Sequence, residues 1–375
     1  MRIVYLYQAL SIWGGLERVL VDKMNYLVRQ YGYEVYIITS DQGNNPFLYN
    51  LDERIHHIDL NVCFYRRYRY PSWRRWKVSR EMSRSYHRQL KELLSEIKPD
   101  ILVCTSFQDI HSLLRLKGTI PLVVESHVNF LHTAESLHHQ IEMLYRNFWI
   151  GKAEAVVTLT DGDAKNWRRV SNRVYVIPNI VHLNDTGLYS DCSEKRVLFA
   201  GRFEKQKNIG ELICIWEMVH PQFPDWQLDL FGDGALWERY KQKAEALNIN
   251  IAVHKPTPQI LDVYRRSSIF VLTSLFEPFG LVIPEAMSCG LPVVSYDSPY
   301  GPASIISEDK DGFVVPMHNR KEFACRLCQL MSDEELRKKM GKHAIVSSRR
   351  FSADKIMPIW KQLFEQLTDK GAHRH

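Results

Sequence analysis

EPFGLVIPEAMSCGLPVVS, residues 277–295, follows shortly after an apolar run from Ile269 to Leu272 that reads as a buried parallel strand. The stretch sets two carboxylates, Glu277 and Glu285, eight positions apart, with Phe279, Gly280 and Pro284 between them. Gly280 is a loop residue of the kind used where backbone must approach a ligand, and Glu285-Ala286-Met287 reads as the first turn of a helix. Glu277 is therefore expected beyond a strand's carboxyl end and Glu285 near the amino end of the next helix. Ligands of open α/β sheets bind at that rim. A helix amino end adds unpaired N–H groups and positive dipole, which suit phosphate. Two acceptor-only carboxylates beside an anion site match a ligand with both phosphate and many hydroxyls, such as a sugar nucleotide.

Working outward, strands alternate with helices on both sides of this stretch. Residues 2–7, 33–41, 54–60, 99–106, 120–127, 155–160 and 173–181 read as strands of a first series, with helical spacing between them. A second series takes in 195–203, 226–234, 248–257, 269–274, 291–297 and 311–316. Two doubly wound parallel-sheet α/β domains follow from that alternation. The length of 375 residues, beyond what one core accommodates, agrees. The expected boundaries are a first domain over 1–182, a polar and turn-rich linker over 183–194, a second domain over 195–351, and a terminal helical segment over 352–375. Apolar residues make up 45 %, enough for packed cores, and no low-complexity segment argues for disorder. Seven cysteines, an odd and scattered set, argue for reduced thiols in a cytosol. The amino terminus enters a strand without a charged-then-apolar leader, and no apolar run approaches the ~20 residues of a membrane span.

Charge is informative locally. The formal balance of +6 is mild, but residues 64–80, FYRRYRYPSWRRWKVSR, hold seven Arg/Lys, six aromatics and no acid. Arg66, Arg67, Arg69, Arg74, Arg75 and Lys77, interleaved with Trp73 and Trp76, suit an anionic headgroup interface or a polyprenyl-phosphate acceptor. A solvated helix face with its aromatics packed inward is the competing interpretation. Nucleic-acid contact is not expected. Gly14-Gly15 sits where a first β-turn-α unit cradles phosphate, although two glycines can also simply serve the turn. His127 falls with Glu125 at the carboxyl end of the strand 120–127, whereas His132, His138 and His139 match no metal spacing. Asp161-Gly162-Asp163 is a DxD triplet, a pattern able to hold a divalent ion, but it follows a strand as an ordinary turn or cap would. Cys325 and Cys328 are expected to face the core of a helix.

The second phosphate signal is GRFEKQKN, residues 201–208. Gly201 ends a strand, Arg202 offers a planar fork to phosphate oxygens, and Lys207 supplies a mobile point charge. This loop and the loop bearing Glu277 occupy equivalent rims of one sheet, so cations and hydroxyl acceptors are expected in a single cleft.

With those stretches in hand the sequence resembles the retaining glycosyltransferases of family 4, of GT-B architecture and the bacterial polysaccharide-biosynthesis type. The resemblance is strongest in GGLERVL (14–20), GRFEKQKNIGELI (201–213), FGDG (231–234) and residues 277–295. It implies two Rossmann-like domains facing each other across a cleft, with the terminal helix returning to the first. It further implies that Glu285 binds ribose hydroxyls and Glu277 the donor sugar, and that backbone amides of Phe279, Gly280 and Leu281 face sugar and diphosphate. The nucleobase would rest near Val253 to Lys255. Arg202 and Lys207 would meet the diphosphate, and Gly14, Gly15 and His127 would serve from the first domain.

The expected reaction moves a hexose or N-acetylhexosamine from a UDP- or GDP-sugar to a growing, lipid-linked glycan. It would use no cofactor and, with cations meeting the leaving charge, no metal. The expected location is cytoplasmic, with peripheral contact at the inner face of the plasma membrane. A nucleotide-sugar 2-epimerase of the same architecture, or a non-catalytic sugar-nucleotide-binding partner, are the alternatives.

Overall fold

A computed structural model describes residues 1–105, 110–127, 130 and 137–372. The chain forms two compact units. One comprises Met1–Leu159, Asp163–Ile180 and Ile356–His375, the other Thr160–Gly162 and Val181–Lys355.

The first unit is built on β1 (Arg2–Tyr7), α1 (Gly15–Tyr31), β2 (Glu34–Thr39), β3 (His56–Asp59), α2 (Ser72–Ile97), β4 (Ile101–Cys104), α3 (Ile110–Leu116), β5 (Leu122–Ser126), α4 (Leu137–Ile150), β6 (Ala155–Thr158), α5 (Asp161–Trp167) and β7 (Val174–Val176). Its strands are all parallel, in the order β3-β2-β1-β4-β5-β6-β7. The reversal beside β1 makes the sheet doubly wound, so right-handed crossovers put α1 on one face and α2 to α4 on the other. Side-chain alternation agrees. Val4, Leu6, Leu102, Cys104, Leu122 and Val124 form one core with Leu90, Leu94 and Ile97 of α2, Leu113 of α3 and Ile150 of α4. Buried α1 residues include Leu20, Met24 and Leu27, and Gly32 in the left-handed region (φ 63°) ends that helix by donating to Leu27 and Val28 carbonyls.

α2 is 26 residues long, about 39 Å at the helical rise. Only Leu90, Leu94 and Ile97 in its last turns are fully buried; Met82 and Tyr86 pack partly buried against the same core, and the turns before them are largely exposed.

The second unit contains β8 (Arg196–Ala200), α6 (Ile209–Val219), β9 (Gln227–Phe231), α7 (Trp237–Leu247), β10 (Ile251–His254), α8 (Ile260–Arg265), β11 (Ile269–Leu272), α9 (Val282–Ser288), β12 (Val293–Tyr296), α10 (Pro302–Ile305), β13 (Gly312–Val315), α11 (Arg320–Ser332) and α12 (Glu334–Ser348). Its parallel order is β10-β9-β8-β11-β12-β13. The boundary back to the first unit falls within α13 (Ala353–Ala372). Both sheets have the doubly wound α/β character expected of the sequence. Residues 183–194, which read as a linker, are fastened to the second unit: Asn184 N–H donates to Ser288 Oγ at 3.0 Å, and Ser190 N–H to the Cys289 carbonyl at 2.8 Å.

None of the seven cysteines is in a disulfide. The expectation that Cys325 and Cys328 both face the core is corrected: Cys325 is exposed and Cys328 half-buried, because Phe323, Leu327 and Leu330 take the inward face of α11. Burial pushes the Cys289 thiol up to about 12, which leaves it unreactive at neutral pH. Native labelling with a thiol reagent at pH 7.5 should modify Cys325 first. Cys63, Cys104, Cys192 and Cys289 should react only after unfolding, as peptide mass spectrometry would record.

Candidate active site

The carboxyl ends of β8, β9, β10 and β11 form one rim, laced together by backbone. Gly201 N–H donates to the Phe231 carbonyl at 3.0 Å, Phe203 N–H to Asp233 at 2.7 Å, and Gly232 N–H to His254 at 3.0 Å. The approach at Gly232 is so close that a Cβ there would stand 1.9 Å from the Gly201 carbonyl oxygen. FGDG at 231–234 is therefore a seam that lets the loop after β8 lie against its neighbour.

On this rim Lys207 and Glu277 meet. Lys207 Nζ donates to Glu277 Oε1, with side-chain exposures of only 12 % and 6 %. The mobile point charge expected of Lys207 is thus a held one. Two residues that sequence reasoning passed over hold it. Gln206 donates from Nε2 to the Phe276 carbonyl at 2.8 Å while its own carbonyl accepts from Leu275 N–H at 2.8 Å. Thr273 Oγ1 donates to the Lys207 and Asn208 carbonyls at 3.3 and 3.2 Å. No sequence signal marked either, because both act by joining backbones far apart in the chain.

Glu277 N–H also donates to the Pro299 carbonyl at 3.2 Å. The loop then turns through Phe279, which is buried, and Gly280, whose φ of 94° other residues seldom adopt. Leu281 precedes α9, a seven-residue helix with Glu285 in its first turn. Glu285 is buried, and the Tyr264 hydroxyl donates to it at 3.5 Å.

Arg202 stands 65 % exposed, with Glu204 Oε1 3.3 Å from its guanidinium. Lys255 pairs with Asp233 at 2.9 Å and lies 3.7 Å over the Trp237 ring. Behind it, His254 stacks on Phe231 with centroids 4.3 Å apart and its Nε2 lies 2.9 Å from Asp229. Burial alone would raise the Asp229 carboxyl, but hydrogen bonds from His254, Gln227 and Arg196 hold it below the usual carboxylate range. That anchors the end of β10, where the resemblance put the nucleobase.

In the first unit, Gly14 caps α1 and its carbonyl accepts from the Tyr49 hydroxyl at 3.1 Å; Gly15 opens the helix. Glu17, buried and bonded to Tyr7 at 2.7 Å, lies against Gly14, so the chain sets its own carboxylate at this helix end. His127 follows β5, its Nε2 2.9 Å from Glu125 Oε2. Glu125 stands at the carboxyl end of β5 as expected, and alternation turns its side chain onto the α1 face, where Lys23 donates to the same oxygen at 2.5 Å and stacks 4.0 Å over Trp360. Burial alone would raise the Glu125 carboxyl, but Lys23 and His127 keep it below its ordinary range. Lys23 was legible in principle, standing four residues after Val19 and four before Leu27 in the apolar stripe of α1.

The DxD triplet serves structure: Asp163 is buried and accepts from Phe130 N–H at 3.0 Å and Trp167 Nε1 at 3.1 Å. Among the described residues no group of three or more His, Cys, Asp or Glu side chains converges as a metal site would need. His132 lies outside the described residues, as do the side chains of His138 and His139.

In residues 64–80 the aromatics do not pack inward. Tyr65, Tyr68, Tyr70, Trp73 and Trp76 are exposed, Trp73 at 74 %, and only Phe64 is buried. Arg67 and Arg75 lie over Tyr68 at 5.0 and 5.7 Å, and Arg74 over Tyr70 at 5.6 Å. Among the described residues no helix is long and apolar enough to cross a membrane.

Two doubly wound sheets, one with cations and carboxylates on its carboxyl rim, define the GT-B class of sugar-transferring enzymes. Residues 13–185 match the family model described as Glycosyltransferase Family 4, and residues 186–346 the one described as Glycosyl transferases group 1. The chain belongs to this group of glycosyltransferases. An uncharacterized glycosyltransferase of Haemophilus influenzae is 27 % identical over 358 residues, covering 93 % of this chain and 95 % of that one. An amylovoran biosynthesis glycosyltransferase of Erwinia amylovora is 33 % identical over 227 residues, 58 % of this chain and 63 % of that one. A crystal structure of a point mutant of S. aureus TarM, in complex with fondaparinux, α-GlcNAc-glycerol and UDP, shares the fold at a TM-score of 0.78 and 16 % identity, covering 97 % and 99 % of the two chains.

Removing one member of a buried ion pair typically costs ~3–5 kcal/mol, whereas replacing both is far milder. Lys207→Met and Glu277→Gln should each lower the melting temperature more than the double variant does. Simple addition of the two losses would show that the pair is not coupled.

Proposed function

We propose that this chain is a retaining glycosyltransferase. It moves a hexose or N-acetylhexosamine from a UDP- or GDP-sugar to a growing, lipid-linked surface glycan. The observation that carries this is the buried Lys207–Glu277 pair on the same rim as exposed Arg202 and buried Glu285. One rim thus offers cations to a diphosphate and carboxylates to hydroxyls. The Erwinia relative's part in amylovoran biosynthesis and the UDP held by the S. aureus structure support the glycan product and the donor class.

Transfer breaks the bond between the anomeric carbon and the diphosphate oxygen, and the electron pair stays on the leaving group. The acceptor hydroxyl oxygen takes the carbon from the same face, and its proton passes to the leaving phosphate oxygen. Arg202 and Lys207 stabilise the charge that develops there, without metal or cofactor. Glu277, held by Lys207 through Oε1, accepts from a sugar hydroxyl through its second oxygen. Glu285 accepts from ribose, while Phe279, Gly280 and Leu281 offer backbone amides. Lys255 borders the base. In the first unit Gly14, Gly15 and His127 contribute to donor and acceptor.

The exposed cationic and aromatic surface of residues 64–80 supports peripheral binding at the cytoplasmic face of an anionic membrane, where a polyprenyl-diphosphate-linked acceptor would be met. Arg66, Arg67, Arg69, Arg74, Arg75 and Lys77 meet phosphates, and Trp73 and Trp76 enter the headgroup layer.

Purified protein, a panel of UDP- and GDP-sugars and a lipid-linked glycan should release nucleoside diphosphate. Arg202→Ala and Glu277→Ala should each lower turnover by ~10²–10³, and NMR of the product should show the donor's anomeric configuration. Undiminished transfer in both variants would refute the site. Isomerised donor in the acceptor-free reaction would make the chain an epimerase instead.

A further inference from the structure

The surface at 64–80 is not the only unpartnered apolar and cationic surface of the first unit. α2 packs on α3 and α3 on α4, so the three form one helix layer. On α4, Leu144, Tyr145 and Phe148 are 67 %, 58 % and 54 % exposed. Their spacing of three and four makes them one stripe. Lys152 continues the stripe, its ammonium 4.5 Å over the Phe148 ring and 4.6 Å over Trp149. Beside it opens a hollow of about 320 Å³ lined by Gly151, Val170, Ser171 and three arginines, Arg168, Arg169 and Arg173. All three arginines are exposed, and among the described residues none has a carboxylate partner. Backbone sets their spacing, since Gly151 packs against the Val170 carbonyl and Arg173 N–H donates to Ser171 Oγ at 3.2 Å.

The stripe is apolar at one end and cationic at the other, the pattern of an amphiphile's binding surface. The hollow lies where α4 leads into β6 and the following loop into β7, at the amino edge of the sheet. It is therefore remote from the carboxyl rim that bears His127 and Gly14. An occupant there would leave that rim free.

We propose that this end of the helix layer is a second docking site for an anionic lipid surface. Headgroup phosphates enter the arginine hollow, while Leu144, Tyr145 and Phe148 lie in the interface beside them. It goes beyond the contact assigned to residues 64–80, and it rests on the account of this chain as an enzyme of surface-bound acceptors only for its purpose. No sugar nucleotide enters its test.

The test is flotation with vesicles of neutral phosphatidylcholine and with vesicles containing about 30 % phosphatidylglycerol. Four proteins are compared: wild type, Arg168→Gln/Arg169→Gln/Arg173→Gln, Leu144→Ser/Phe148→Ser, and Arg74→Gln/Arg75→Gln/Lys77→Gln. The replaced side chains are exposed, so matched melting curves establish that all are folded. Wild type should partition onto the anionic vesicles alone. The hollow variant should lose on the order of 100-fold in partition at low salt, and the stripe variant roughly tenfold. The α2 variant should lose a separate, additive amount. Hollow and stripe variants that bind as wild type does would overturn the proposal. So would a stripe variant that merely converts a dimer to a monomer by analytical ultracentrifugation, since the face would then join two copies. Abolition of vesicle binding by 10 mM inorganic phosphate, but not by chloride of equal ionic strength, would assign the hollow to free phosphate and equally overturn it.

Discussion

The second unit's rim depends on one interaction, the buried ion pair between Lys207 and Glu277. An ammonium and a carboxylate are costly to desolvate, so losing either partner leaves the other buried without its counter-charge. Gln206 and Thr273 keep the two loops at the distance the pair requires. The glycine seam at 232 lets the loop after β8 come close enough to supply Lys207 at all. The consequence is a preorganised pair of opposite charges at the rim where sheets of this class bind ligands. Little side-chain ordering would be left to be done for the proposed sugar-diphosphate donor.

The first unit uses the same physics with the opposite outcome. Lys23, Glu125 and His127 form a buried chain tucked beneath α1 and Trp360 of α13, with even the His127 side chain only 7 % exposed. Glu17 occupies the amino end of α1. Among the described residues the exposed cations of this unit include the α2 arginines and those of the arginine hollow. A rim of cations and carboxylates in one unit and exposed cations in the other suit the proposed transfer to a surface-bound glycan.

Much of this was legible in the sequence for particular reasons. Parallel strands buried on both faces are continuous apolar runs, so IFVL at 269–272 and VVSY at 293–296 were recognisable without their partners. Glu277 and Glu285 stood out because carboxylates are rare between such runs. Pairing was not legible. Nothing local says that Lys207 reaches Glu277, 70 positions away, or that Glu125 turns inward to Lys23. The α4 stripe was missed as well, because an exposed Leu144 or Phe148 looks in sequence like any core residue of a helix. Its exposure is a fact of packing and not of composition.

The claim that Lys207 and Arg202 hold a diphosphate is tested most directly by calorimetric titration with UDP, GDP and the free nucleosides. At least one diphosphate should bind the wild type. Arg202→Met and Lys207→Met should each weaken it by roughly 10-fold to 100-fold, as loss of a charge-assisted hydrogen bond does, while affinity for the nucleoside stays the same. Equal diphosphate affinity in wild type and both variants would contradict the account.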